Sequence, residues 1–211
     1  MYLLKHKHFS EYTLNAFLKE PHTKTFQRLH LLKLIKEYVK PTDVVADIGA
    51  HSYFDILLAS GARTQFIIDP YNGAEGCGLS SIPKLPYPCA LFRCQIGIDS
   101  KIIPDNLFHV TFSCSVLEHI GQAESGYDCS PTCNPPYVQE VIRRRFCREM
   151  FRIIKPGGLT IHTVDHAARN HSFRRNFESA GFSVVSFSDE TIYTVEEALL
   201  APDAVRQRVC W

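Results

Sequence analysis

No stretch of this chain reaches the roughly 18 apolar residues that a membrane helix needs, and a spanning protein is thereby excluded as an expectation. Charge of one sign is also missing: 23 Lys and Arg stand against 22 Asp and Glu, a formal net charge of +1. Without an electrostatic excess, nucleic acid and anionic membrane surfaces are poor expected partners, and a small-molecule substrate fits better. The opening MYLLKHKHFSEY has too short an apolar stretch for a secretory signal and no small-residue cleavage site, so a cytoplasmic location is expected. Internal repeats and a linker composition are lacking too, and 211 residues suit one α/β domain with a sizeable core. Oligomeric state is left open.

Cysteine is not scarce. Eight are present, and in a cytosolic chain they read as reduced thiols rather than a disulfide framework. Cys114 and Cys147 sit within apolar runs as small core residues. Cys129 and Cys133 have a ligand-like C-x-x-x-C spacing, but zinc normally takes four ligands and no second pair lies nearby, so no metal is expected.

The organising stretch is Val44 to Asp69, VVADIGAHSYFDILLASGARTQFIID. An apolar run, Val44 to Ile48, ends at Gly49; Phe54, Leu57 and Leu58 then fall at helical spacing before Gly61; Gln65 to Ile68 forms a second apolar run that closes on Asp69. A strand, loop, helix and strand of this kind place a glycine where the chain leaves the first strand and a carboxylate at the tip of the second, which is how open α/β sheets hold a nucleoside. Glycine lets the backbone approach a ligand, and the acid accepts hydrogen bonds from ribose hydroxyls. The three-glycine dinucleotide fingerprint is missing, because Ala50, His51, Ser52 and Tyr53 follow Gly49. A pyrophosphate would lose its closest contacts, so a nicotinamide dehydrogenase is a distant reading and a ligand with ribose but no phosphate fits better.

The segments DIGAHSY and IIDP resemble the cofactor site of the class I S-adenosylmethionine-dependent methyltransferases, of type 11-like pattern, with only the first glycine of the D-x-G-x-G-x-G loop retained. Further downstream, IIPDNLFHVTFSCSVLEHI resembles the family's l-P-d-x-x-F-D strand ending in S-V-L-E-H-I, with His109 in place of the aspartate, and EMFRIIKPGGL resembles the link E-x-x-R-v-L-k-P-G-G into the fifth strand. FESAGF is similar to the family's last helix-to-strand turn. The resemblance covers about residues 40 to 195. It implies a Rossmann-like α/β fold: a mainly parallel, seven-stranded sheet with an antiparallel last strand and helices on both faces. It also implies S-adenosyl-L-methionine as cofactor. In that frame Asp47 orients the amino-acid end or the loop, Gly49, Ala50 and His51 form the loop, Asp69 takes the ribose, Pro70 and Tyr71 line the cofactor, Asp99 meets the adenine, and Ser115 faces the site. His119, Asp165 and His166 fall at strand tips near the acceptor as catalytic candidates. For His119 a structural hydrogen bond and general-base work both remain open, and Asp165 with His166 either forms an oriented acid–histidine pair or binds a polar substrate.

Taken in order, residues 1 to 40 read as an N-terminal helical cap: a short helix from Ser10 to Lys19, then a longer one with Phe26, Leu29, Leu32, Ile35 and Val39 on one face, stopped by Pro41. The cap either covers a sheet edge or lids the site. Residues 41 to 211 form the cofactor-binding domain, with a third strand at Cys89 to Ile98, a fourth at Val110 to Cys114 and a fifth at Leu159 to Val164. Val138, Val141, Ile142, Phe146, Met150 and Ile153 mark the apolar face of a helix whose opposite face, Arg143, Arg144, Arg145, Arg148 and Arg152, reads as solvated. A helix from Ser172 to Ala180, a strand from Phe182 to Phe187 and another from Thr191 to Val195 complete the pattern. Loops at 70–88 and 121–136, the latter with Tyr127, Asp128 and Cys129, are candidate pocket walls or plain surface connections. The function expected is methyl transfer to a small molecule. Aminocarboxypropyl transfer or cyclisation of the same cofactor, and a binding protein that has lost the cofactor, are the alternatives.

Overall fold

The computed structural model describes residues 23–50, 54–72, 81–84, 88–121, 135–163 and 171–183. Five strands, all parallel, stand in the order β3-β2-β1-β4-β5. They are β1 (Val44–Ile48), β2 (Thr64–Ile68), β3 (Ala90–Phe92), β4 (Phe108–Cys114) and β5 (Ile154–Thr163). The helices are α1 (Thr23–Tyr38), α2 (Asp55–Ala59), α3 (Pro136–Ile153) and α4 (His171–Ala180). Five parallel strands, rather than seven with an antiparallel last one, form the sheet among the described residues; Thr191 to Val195 and most of the expected strand from Phe182 lie outside them. So do the expected helix from Ser10 to Lys19 and the loop with Tyr127, Asp128, Cys129 and Cys133.

Strands covered on both faces read as continuous β-branched and aliphatic runs, and β1 and β2 do so because helices pack on either side. On one face Ala46, Ile48, Phe108, Phe146, Met150 and Phe177 form a core with α3 and α4. On the other, Leu31, Ile35, Val45, Leu57, Ile67, Phe112 and Ile161 form a second core with α1 and α2. Helices on both faces were expected, and both faces are covered.

Several local expectations shift. Among the α1 side chains described, Gln27, Leu31, Leu34 and Ile35 are buried; Ile35 and the half-buried Leu32 and Val39 belong to the expected face, and the side chains of Phe26 and Leu29 lie outside the described ones. In α2 it is Ile56 and Leu57 that are buried, while Leu58 is 56% exposed. The third strand is three residues long instead of spanning Cys89 to Ile98. Beyond it the chain turns, and at Gly97, with φ +85°, a Cβ would lie 2.7 Å from the Phe146 amide, so the turn packs directly on the α3 backbone. β4 begins two residues early, at Phe108, and β5 begins at Ile154, directly after α3. Pro156 and the two glycines bulge from the ladder, since Phe108 pairs with Ile154 and Val110 with Leu159.

The arginine face of α3 is only partly solvated. Arg144, Arg145 and Arg148 are exposed, but Arg143 is buried: its Nε donates to the Ile120 carbonyl at 3.2 Å and its guanidinium lies 5.2 Å from the Phe173 ring centroid. Arg152 clamps the segment before β4, donating from Nη1 to the Ile103 carbonyl (2.8 Å) and to Asp105, and from Nη2 to the Ser100 carbonyl (3.1 Å) and Glu149 (2.8 Å). These hydrogen bonds hold the Glu149 carboxyl below its ordinary range. Val141, expected on the apolar face, is 46% exposed. His109 stands at the start of β4, where its Nδ1 accepts the Val44 N–H at 2.9 Å and Lys155 Nζ approaches Nε2 at 3.0 Å. It therefore caps the amino end of the sheet, the rim opposite to the ligand-binding one.

A polar chain crosses the sheet under α4. Thr111 donates to Thr160 (2.9 Å), Thr160 contacts His162 Nε2 (2.6 Å), and Ser113 contacts Nδ1 (2.7 Å), while the ring stacks on Phe177. Burial pushes the imidazole down to about 3, so it stays neutral.

Replacing Arg152 by Met is expected to cost about 2–3 kcal/mol, because charge-assisted hydrogen bonds to the buried Ser100 and Ile103 carbonyls, to the half-buried Glu149 and to the exposed Asp105 are lost at once. Arg148→Met, on the exposed side of the same helix, should stay within about 0.5 kcal/mol. Urea unfolding of the two variants checks this; equal losses would mean that the whole arginine face is a solvated surface.

Candidate functional site

Because all five strands run the same way, their carboxyl ends form one rim, and the order reverses direction between β1 and β4. Ligands of open α/β sheets bind outside the carboxyl ends of the strands at such a switch point. The register fixes what meets there: Asp47 pairs with Ile67 on one side and Phe112 on the other, and Ile48 pairs with Ile68. Asp47 and Asp69 therefore end neighbouring strands two residues beyond Val45 and Ile67, both of which face the core under α1 and α2.

Gly49 leaves β1 with φ +66°, and its N–H donates to the Ile68 carbonyl at 2.9 Å. A Cβ added there would stand 2.7 Å from Val116 Cγ2, in the segment just after β4. The glycine is thus demanded by conformation and by a neighbour whose branched side chain has little room to turn. Ala50 is buried in the α1-side core. His51, the next loop residue, lies outside the described residues.

Asp47 is 5% exposed and Asp69 4%. Burial, with the charges of Asp55 and Asp69 added, holds the Asp47 carboxyl well above the usual carboxylate range, and the Arg28 guanidinium opposes this. Asp69 Oδ1 accepts the Tyr71 N–H at 2.7 Å, an Asx-type turn that fixes the carboxylate at the strand tip. Tyr71 itself, expected to line the cofactor, has a fully buried ring inside the α1-side core and φ +46°. Its phenol is pushed far above the ordinary value by burial and by Asp69 and Asp47. Pro70 is half-buried beside it, and its carbonyl accepts from Arg93 Nε at 3.1 Å. Asp99 is exposed in the turn before β4, where its carboxylate accepts the Gln95 N–H.

At the tip of β4, Ser115 adopts φ +55°, its N–H donates to the Thr163 carbonyl at 2.7 Å, and its Oγ donates to Gln27 Oε1 at 2.8 Å. His119 ends the short 3-10 turn Leu117–His119, half-buried, with its N–H donating to the Val116 carbonyl at 3.0 Å. Asp165 and His166 follow β5 outside the described residues. No group of three His, Cys, Asp or Glu among the described residues could hold a metal, and no helix among them is long and apolar enough to cross a membrane.

The structure adds three residues that the sequence did not suggest. Gln27 and Arg28 come from α1, Gln27 fully buried and Arg28 paired through Nη2 with Asp55 Oδ1 at 2.5 Å. Thr163 ends β5 with its Oγ1 buried and, among the described residues, without a hydrogen-bond partner. A signal for Gln27 did exist, since it lies four, seven and eight residues before Leu31, Leu34 and Ile35, in register with the buried stripe. Nothing comparable marked Arg28 or Thr163.

Comparison with known proteins gives a likeness of fold. No protein-family model matches the chain, and no curated protein matches it significantly. Among solved structures it is similar to the [4+2]-cyclase SpnF, with a TM-score of 0.49 and 15% identity over 80% of this chain and 61% of that one. A TehB-like SAM-dependent methyltransferase from Corynebacterium glutamicum gives 0.48 and 14%, over 72% and 71%. An S-adenosylmethionine-dependent methyltransferase from Mesorhizobium loti gives 0.42 and 15%, over 66% and 53%. The chain thus spans 53% and 61% of the lengths of two of these three proteins. Likeness at this level carries no argument about chemistry, which rests on the rim residues.

Asp47 keeps its proton in the folded state over the window between its unfolded value, near 3.8, and its raised folded value, so stability falls as pH rises through that window. Asp47→Asn is expected to raise the unfolding temperature at pH 7, with the gain disappearing once the pH is below about 4. A lowered unfolding temperature at pH 7 would overturn the account of Asp47 as an acid kept at a cost in stability. Gly49→Ala should cost about 2 kcal/mol or more, from positive φ plus overpacking. Adding Val116→Ala should relieve only the steric part, as a double-mutant cycle would show.

Proposed function

We propose that the chain is an S-adenosylmethionine-dependent methyltransferase that acts on a small-molecule acceptor. The observation that carries this is the pair of buried carboxylates, Asp47 and Asp69, at the carboxyl ends of adjacent parallel strands, Asp47 level with Ile67 and Asp69 two residues further on, where Gly49 leaves β1. A ribose diol asks for an acceptor such as Asp69, an ammonium asks for a carboxyl such as Asp47, whose ionisation the bound cation would favour, and close passage of the ligand asks for a position without Cβ. The loop after β1 keeps only Gly49 where a pyrophosphate needs three glycines, which sets dinucleotides aside. The bound cofactor supplies an electrophilic methyl group on a sulfonium.

The residues of the chain have three tasks. Asp69, fixed by the Tyr71 N–H, orients the nucleoside; Asp47 holds the amino-acid end; the turn after β4 brings His119 to the same rim. A half-buried histidine there is suited to take a proton from an acceptor hydroxyl or amine, and Asp165 and His166 are proposed to meet the acceptor from the tip of β5. Small-molecule acceptors are favoured by the near-neutral charge of the chain. Attack at another carbon of the same cofactor is the second reading, since a fold does not choose the reaction. His109 gives no support to loss of cofactor use, because it caps the amino end of β1, away from the rim.

Isothermal calorimetry with S-adenosylmethionine tests the reading. Wild-type binding at micromolar concentration is expected. Asp69→Asn keeps an oxygen for the Tyr71 N–H but offers the diol a donor, and should weaken binding about 10–100-fold. Release of S-adenosylhomocysteine with an acceptor would establish methyl transfer, whereas methylthioadenosine would replace it with aminocarboxypropyl chemistry. Absence of binding at millimolar ligand would overturn the cofactor assignment.

A further inference from the structure

The outward face of α3 carries a pattern that neither the core nor the strand rim uses. Phe146, Cys147, Met150 and Ile153 seat the helix on the sheet. On the other side Tyr137, 72% exposed, Val141, Arg144, Arg148 and Phe151 follow one another at steps of four, three, four and three residues. That is the spacing of a helix–helix seam, and it runs along the helix for about 21 Å. Exposed apolar side chains scattered singly need no explanation, but a seam with Tyr and Val at one end, Phe at the other and two arginines between them is ordered. Phe151 is held in place for contact, since its ring packs edge-on against Phe182 at 5.3 Å while staying 49% exposed. The arginines work against the helix that bears them, because Arg148 stands one turn from both Arg144 and Arg145. Glu140 answers Arg144 at 2.9 Å, whereas Arg145 and Arg148 make no ion pair among the described residues.

We propose that this seam is a docking surface for an acidic amphipathic helix of a partner protein, laid along α3 with apolar side chains on Tyr137, Val141 and Phe151 and carboxylates on Arg144 and Arg148. Tyr, Phe and Arg are enriched where proteins meet, and a guanidinium takes a carboxylate in a two-pronged contact. Charge chooses the partner. A second copy of the chain, laid antiparallel about Arg144, would set Tyr137 against Phe151 but Arg144 against Arg144, so self-pairing brings like charges together. A nucleic acid is drawn by the field of the whole molecule, and the chain carries only +1. An acidic helix meets both the local excess of cations and the apolar ends of the seam. The proposal does not depend on what the strand rim binds.

Fluorescence anisotropy with two labelled three-heptad peptides provides the test: one has Leu at the outer a and d positions and Glu at the central ones, and the other has Lys in place of Glu. The full chain should bind the acidic peptide at micromolar concentration, less tightly as salt rises, and not the basic one. Arg144→Glu combined with Arg148→Glu should weaken the acidic peptide about tenfold or more and gain the basic one, which separates a reversed surface from an unfolded chain. Tyr137→Ser should weaken the acidic peptide with no change in unfolding temperature. Lys33→Glu combined with Lys36→Glu, an equal change of charge on the exposed side of α1, should leave binding as it was. An equal loss in that control overturns the proposal, and so does a wild type that does not bind the acidic peptide at submillimolar concentration. A dimer in sedimentation that Tyr137→Ser dissociates would overturn it in favour of a second copy. Binding of poly-uridylate that the Arg144→Glu, Arg148→Glu chain loses, without binding of the acidic peptide, would overturn it in favour of RNA.

Discussion

The central placement of β1 in a wholly parallel ladder is the constraint from which the site follows. With β2 on one side and β4 on the other, one register fixes the heights of Asp47, Gly49, Asp69 and Ser115 together. A slip of one residue would turn Asp47 to the opposite core and lift Gly49 away from Val116. The hydrophobic cores that hold this register are therefore also what aims the polar groups.

Placing carboxylates at such a rim works against folding. Asp47 and Asp69 are nearly sealed from water, and burial together with the charge of Asp69 raises the cost of ionising Asp47. Arg28 offsets part of that, and Asp69 recovers part through the Tyr71 amide. Local backbone strain adds to it, since Tyr71 and Ser115 both carry positive φ without being glycine. Unfavourable features gathered at one strand rim are what a binding site looks like when stability and function compete. The neutral polar chain through Thr111, Thr160, His162 and Ser113 is different in kind, because its hydrogen bonds are mutually satisfied and it faces the other core.

Away from the rim, charged side chains act as joints. Arg152 ties the segment before β4 to the end of α3, and Arg143 ties the turn after β4 to α3 and α4. The second joint matters to the site, since the Ile120 carbonyl it holds is adjacent to His119. Arg143 stands next in sequence to Arg144 on the same helix, yet one is buried and the other solvated, which follows from the 3.6-residue turn and from what faces each position.

By itself the sequence determined the elements whose signals are local. The apolar runs of β1 and β2, the glycine and acid that end them, the end of α3 before Pro156, and Gly181 after α4 were all legible from hydrophobic period and breaker chemistry. Parallel pairing followed from alternating strands and helices, which cannot be joined by short hairpins. Tertiary structure alone decided the partner of the buried Gln27, because Ser115 lies 88 residues away, beyond any local window. It decided that Tyr71 fills the core under α1, that the turn at Gly97 packs on the α3 backbone, and that Arg28 of α1 pairs with Asp55. In each case the deciding contact joins segments distant in the chain, and its energy exists only once the sheet has brought those segments together.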